Sequence, residues 1–209
     1  MQFSLKDLQR TDRYKLLTAL VIPRPIAWIS TWSENGVANC APFSFFNLVS
    51  NDPPLCAIGI NTRSDGQLKD TARNIRRTGE FVINLVDERM AQPMRVTAHE
   101  FAGDVSEFEM AGLTPVAATR VQHPRIAQAA ASLECVVNRL VPINDGQDLV
   151  IGEIVHLHAR DGIIDPATLR IAEDRYLPIG RLYGNRYCTT RDRFDLPAER
   201  PVTKAPVVE

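Results

Sequence analysis

Asn35-Gly36 is the feature that most restricts the fold of this chain. Both residues tolerate positive φ, so the pair suits the tight turn of a β-hairpin. A β-rich run, Ile26 to Thr31, precedes it, and Val37 to Ala41 follows as the expected return strand. Leu55 to Ile60 and Phe81 to Val86 are further apolar runs of strand length. Ser132 to Val141 and Leu149 to His158 are rich in Val, Ile and Leu, with turn chemistry at Asn144-Asp145-Gly146 between them. Strands of this length joined by turns predict a mainly β protein, a closed β-barrel with covering helices.

One clear helix interrupts the strands. Leu68, Ala72 and Ile75 fall on one helical face. Asp70 is the expected N-terminal cap and Gly79 the C-terminal cap, with Arg73, Arg76 and Arg77 placed favourably for the helix dipole. From Asp87 to Arg125 the pattern weakens. Helical character is expected around Met90 and Met94, but Pro93 argues against one long helix. This stretch is expected to leave the barrel as an excursion, in the manner of a lid. Residues 1–200 form one domain in this reading, and 201–209 an extended tail.

Composition removes several classes of function. Twenty-four basic residues face 25 acidic ones, a formal net charge of −1. That balance gives no reason to expect nucleic acid or an anionic membrane as partner. No apolar run approaches a membrane span, and Met1 to Arg10 lacks an apolar signal core, so a cytoplasmic location is expected. Cys40, Cys56, Cys135 and Cys188 are too scattered for a CxxC site. No GxGxxG follows a strand, and neither a Walker loop nor a GxSxG elbow occurs. His156 and His158 share a strand face and could share a metal, but the neighbouring sequence supplies no third ligand. The alternative is a hydrogen-bonded pair beside Glu153. His99-Glu100 reads as a surface loop or an acid–base pair.

Three stretches carry more information. They are Pro23-Arg24-Pro25-Ile26-Ala27-Trp28-Ile29-Ser30-Thr31, then Asn39-Cys40-Ala41-Pro42-Phe43-Ser44-Phe45-Phe46-Asn47 with Pro53-Pro54, then Lys69-Asp70-Thr71, Asn74-Ile75 and Gly79-Glu80-Phe81-Val82. In this order they resemble the flavin reductase-like family, and within it the flavoredoxin-type branch. Phe108, Gly112-Leu113-Thr114-Pro115, Leu133-Glu134-Cys135, Pro178-Ile179-Gly180-Arg181, Tyr187 and Arg200-Pro201 extend the resemblance over nearly the whole chain. Tyr183 departs from it, standing where many relatives have glycine.

The resemblance implies an FMN-binding split barrel, a homodimer, and reduction of flavin by NADH or NADPH. A partner monooxygenase or other electron acceptor would receive the product. Trp28, Ser30 and Thr31 would face the pyrimidine edge, and Asn39, Cys40, Ala41 and Pro42 the ring. Ser44, Phe45, Asn47, Lys69, Asp70 and Thr71 would surround the ribityl and phosphate end. Asn61, Thr62 and Arg63 would complete the phosphate cradle, since arginine grips phosphate through paired donors. Arg181 and Tyr183 are candidates for contact with cofactor or a neighbouring subunit, and His99 for seating nicotinamide. Phe43 and Phe46 are equally readable as core, and Trp28 on a strand is more often barrel packing than ring stacking, although its backbone would still touch flavin. Three other readings stay open: an FMN-binding electron-transfer protein without catalysis, a pyridoxamine phosphate oxidase-type enzyme, and a cofactor-free interaction protein.

Overall fold

A computed structural model describes residues 1–144 and 146–197. The expected tail, 201–209, lies outside the described residues. Seven strands form one antiparallel sheet: β1 (Ala27–Trp32), β2 (Ala38–Phe43), β3 (Phe46–Asn51), β4 (Pro54–Ile60), β5 (Glu80–Leu85), β8 (Ala131–Asn144) and β9 (Gln147–Ala159), in the order β2-β1-β5-β8-β9-β4-β3. Two short pairs flank the sheet: β6 (Pro115–Val116) with β7 (Arg125–Ile126), and β10 (Ile179–Arg181) with β11 (Tyr187–Thr189). The helices are α1 (Arg10–Leu20), α2 (Asp70–Thr78), α3 (Ala91–Val96) and α4 (Glu107–Met110).

The sheet is rolled, and the chain itself proves it. β2 and β3 sit at opposite ends of the strand order, yet only Ser44 and Phe45 link them. Three residue steps span at most about 11 Å, so the two edges must lie near one another. They do not pair along their length. Instead the Phe45 carbonyl accepts from the Gly59 amide of β4 at 2.7 Å. The barrel is therefore split between β2 and β3, not closed as strand patterning alone suggests. Unpaired edge backbone is left there to face a groove.

Alternation along the strands builds two cores. Inward residues Ala27, Ile29, Phe43, Ile58, Phe81, Ile83, Leu133 and Cys135 fill the barrel, and Ala72 and Ile75 of α2 close one end. Arg76 fixes that helix by a bidentate pair with buried Asp148, at 2.8 and 2.7 Å. Gly79 ends the helix at φ +71°, as expected. Asp70 is the first helical residue and not the cap. Lys69 holds the cap position, and the Asp70 carboxylate is drawn away by Arg63 and Arg73. An acid in the first turn still suits the dipole.

The second core lies outside the barrel, where Trp28 and Cys40 meet Met90, Met94, Phe108 and Ile126. The excursion is thus a packed outer layer, not a lid. A 3-10 turn over Glu88–Met90 leads into α3, whose first turn accommodates Pro93 because its missing N–H would have no partner there. Buried polar groups join the layers. Asn84 donates to Trp28 O and Ser30 Oγ and accepts from Ile126 N and Ser132 Oγ, all at 2.9–3.0 Å. His123 Nδ1 accepts from Trp32 N at 2.9 Å, and its Nε2 meets Thr78 Oγ1 at 2.8 Å. Glu134 accepts the amides of Thr119, Arg120 and Val121.

Candidate functional site

A groove follows β2 along the split. It consists of three connected hollows of about 440, 630 and 530 Å³, including space open to solvent. Ala41 and Pro42 form its floor. At one end stand Arg63, the α2 N-terminus at Lys69, Asp70 and Thr71, and the 97–101 segment. At the other end are Tyr14, Arg95, Arg181 and Tyr187. Ser44, Phe45, Gly59 and Asn61 line the branch toward β4.

Beneath the first end is a buried polar chain. Asn74 Nδ2 donates to Thr31 Oγ1 at 3.0 Å, and the hydroxyls of Thr31 and Thr71 both donate to Asn39 Oδ1 at 3.1 and 3.0 Å. Asn39 Nδ2 in turn donates to both Glu107 oxygens at 3.1 Å, and Cys40 N to Glu107 Oε2 at 3.3 Å. The chain fixes the strand backbone at Asn39–Ala41 and the start of α2 relative to one another. Burial raises the Glu107 pKa, and the Asp70 charge adds to the rise, against hydrogen bonds that favour the carboxylate.

The residues anticipated from sequence divide into three groups. Asn39, Ala41, Pro42, Ser44, Phe45, Asn61, Arg63, Lys69, Asp70 and Thr71 meet at the groove. Trp28, Ser30, Thr31 and Cys40 are buried under it. Trp28 Nε1 donates to Thr97 Oγ1 at 2.8 Å and the Ser30 hydroxyl to Pro124 O at 2.5 Å, so these side chains are packing and tethering groups. Burial drives the Cys40 thiol well above its ordinary pKa, which removes it as a nucleophile. Asn47 and Thr62 do not line the groove walls. Asn47 is exposed on β3 with its Oδ1 accepting from Leu48 N, and the Thr62 methyl faces Gly146.

The cations of the groove differ in how they are committed. Arg63 donates to Asp70 at 3.2 Å and to Phe101 O at 3.0 Å. Arg181 lies over the Tyr187 ring, 4.6 Å from its centroid, and bonds Tyr187 Oη and Gly184 O. Lys69 and Arg95 have no hydrogen-bonded or ion-paired partner among the described residues, so their charge is available to a ligand. Glu100 is held by the Ser64 amide and hydroxyl, which lower its pKa, while His99 is exposed at the rim.

Sequence reasoning missed Tyr14, Arg95, Thr97 and Glu107. Tyr14 belongs to a helix with little apolar patterning and reaches the groove beside Phe45, with ring centroids 6.2 Å apart. Glu107 had no motif around it. Its signal is spatial, a carboxylate from the outer layer meeting the β2 backbone.

Known proteins resemble this chain throughout. A family model for the flavin reductase like domain matches residues 19–180. An uncharacterized protein of Aquifex aeolicus is 43% identical over 187 residues, covering 90% of this chain and 94% of that one. Among solved structures, 2-nitrobenzoate 2-nitroreductase NbaA of Pseudomonas fluorescens is 34% identical with a TM-score of 0.89, covering 98% of this chain and 100% of its own. Nitrilotriacetate monooxygenase component B of Bacillus cereus is 33% identical with a TM-score of 0.88, covering 94% and 98%. A groove at the split of a seven-stranded barrel, the motifs that line it, and a match over most of the chain's length agree: the chain belongs to the flavin reductase-like family of split-barrel oxidoreductases.

Proposed function

We propose that this protein binds FMN in the β2 groove and transfers hydride to it from NADH or NADPH. The observation that carries the reading is the uncommitted Lys69 ammonium at the α2 N-terminus, facing a hollow that continues along an apolar floor. A helix N-terminus presents free amides and a positive dipole end, which with a lysine forms a phosphate-sized anion site. Lys69, Arg63 and the Thr71 backbone amide in the first turn of α2 hold the phosphate in this reading, the Thr71 hydroxyl being given to Asn39. Ser44 and Asn61 serve the ribityl chain, and Ala41 and Pro42 support the ring. Bound flavin supplies the hydride-accepting chemistry, while the protein supplies orientation and electrostatics.

The wider end, with Arg95, Arg181, Tyr14 and Tyr187, takes the nicotinamide nucleotide, whose phosphates need cations and whose rings need flat apolar partners. Reduced flavin then serves a partner, such as a monooxygenase. A homodimer is part of the proposal. Leu17, Leu20, Val21, Leu48 and Val49 are exposed on α1, the residue after it, and β3, which the Tyr14–Phe45 contact brings together. Exposed apolar side chains on α1 and on the edge strand favour association. Four free cysteines suit the reducing cytoplasm.

The phosphate assignment is tested by comparing FMN with riboflavin in a Lys69→Ala variant. FMN binding is expected to weaken about 10- to 100-fold, the worth of one charge-assisted contact, with riboflavin binding little changed. Equal loss for both ligands would place Lys69 away from the phosphate.

A further inference from the structure

A cluster on the barrel's outer face stands apart from the groove. Glu134 of β8 is fully buried, and among the described residues no lysine or arginine pairs with it. Its oxygens accept the amides of Thr119, Arg120 and Val121 at 2.7, 2.5 and 3.1 Å. Across the strand pair, His156 is in register with Glu134, and His158 lies two residues further on. Residues two apart on a strand point to the same face. The two imidazoles stand 4.8 Å apart, centroid to centroid, at 67°. His158 Nε2 is 2.5 Å from Glu134 Oε1, whereas His156 has no hydrogen-bond partner among the described residues. The two ring nitrogens and the carboxylate oxygen all lie within 4.8 Å of one another.

We propose that Glu134, His156 and His158 form a binding site for a divalent transition-metal ion of the zinc type. Two imidazoles and one carboxylate are a donor set that such ions accept, with a solvent molecule completing four-coordination. Bonds of about 2.0–2.1 Å at tetrahedral angles separate ligand atoms by about 3.3 Å. The ion would replace the proton between His158 and Glu134, widening that pair while His156 swings inward. The support around the site is already in place. Three amides of the 119–121 turn orient the carboxylate, the role outer hydrogen bonds play in metal centres. His158 also forms part of the wall of an open hollow with Arg125, Ser132 and Arg160, which gives an ion a path from solvent. A simple His158–Glu134 bond accounts for two of the three residues. It leaves unexplained why a second, partnerless imidazole is held against them.

The test is isothermal titration of zinc chloride into tag-free, chelator-stripped protein, read beside the melting temperature. One ion per chain and a raised melting temperature are expected. His156 is half-exposed and makes no hydrogen bond, so His156→Ala should fold normally, and its affinity should fall by more than about 100-fold, beyond the cost of losing a mere outer-shell partner. His158→Asn should behave alike, and Cys188→Ser should bind as the parent does. No saturable binding, or binding that survives His156→Ala, would overturn the proposal and leave the cluster a structural ion pair. Loss of binding in Cys188→Ser would overturn it too, by placing the metal on the thiol. Flavin takes no part in the titration, so its outcome is independent of the proposed activity.

Discussion

Asn84 joins the barrel to its outer layer, and replacing it with leucine is a direct probe of that joint. The side chain is fully buried and uses all four of its hydrogen-bonding positions. In Asn84→Leu, Ser30 keeps its bond to Pro124 O, but the Ile126 amide and the Ser132 hydroxyl lose their acceptor. Each buried group left unsatisfied costs about 1–3 kcal/mol. With partial relaxation, the sum is about 3–4 kcal/mol, a large share of a typical stability of roughly 5–15 kcal/mol. Urea unfolding with a common m-value measures it. In the leucine background, Ser132→Ala should cost about 1 kcal/mol less than in the parent, because it removes a group already stranded. A loss below about 1 kcal/mol for Asn84→Leu, or strict additivity of the two changes, would refute this account of the joint.

Other consequences are equally open to measurement. Burial depresses the His123 pKa from 6.5 to about 4, so the folded ring stays neutral while the unfolded chain takes up a proton below pH 6.5. Its contribution is complete above that pH and is lost progressively down to about pH 4, on the order of 2 kcal/mol. A His123→Asn variant should show a flatter fall in stability between pH 7 and 5, and equal slopes would count against the assignment. In the barrel, a Cβ on Gly152 would stand 2.5 Å from Phe81 Cζ, whereas one on Gly59 would stand 3.2 Å from Phe45 Cβ, at the more yielding edge. Gly152→Ala should therefore lower the melting temperature more, by an overpacking cost of about 1–3 kcal/mol. A larger effect at Gly59 would mean that the core adapts better than the edge.

The parts of the fold that were legible in sequence are those where local chemistry and burial agree. Asn35-Gly36 stands between β1 and β2, Gly79 ends α2, and the long Val/Ile/Leu runs became β8 and β9. The edge strand β3 was not legible, because it is mostly exposed and carries no inside–outside alternation. Helix α1 buries only Thr18, so it lacks the apolar stripe that announces a helix. The outer layer was mistaken for a lid because its anchors, Asn84, His123 and Glu134, are polar residues whose partners lie 13 to 91 positions away, beyond any local spacing rule. The groove was half legible: its floor and the α2 start come from contiguous motifs, while Glu107, Arg95 and Tyr14 arrive from elements that only the fold brings near. Glu134 reaches His156 only through strand register, across a bulge at Glu134–Cys135 that no spacing rule records.

The central claim is most directly tested by the visible spectrum of the purified protein with FMN, taken anaerobically before and after addition of NADH and then NADPH. The account predicts saturable FMN binding and bleaching of the bound flavin by at least one of the two nucleotides. Bound flavin that neither nucleotide reduces would assign the protein to electron transfer, and a spectrum showing no bound flavin would contradict the claim outright.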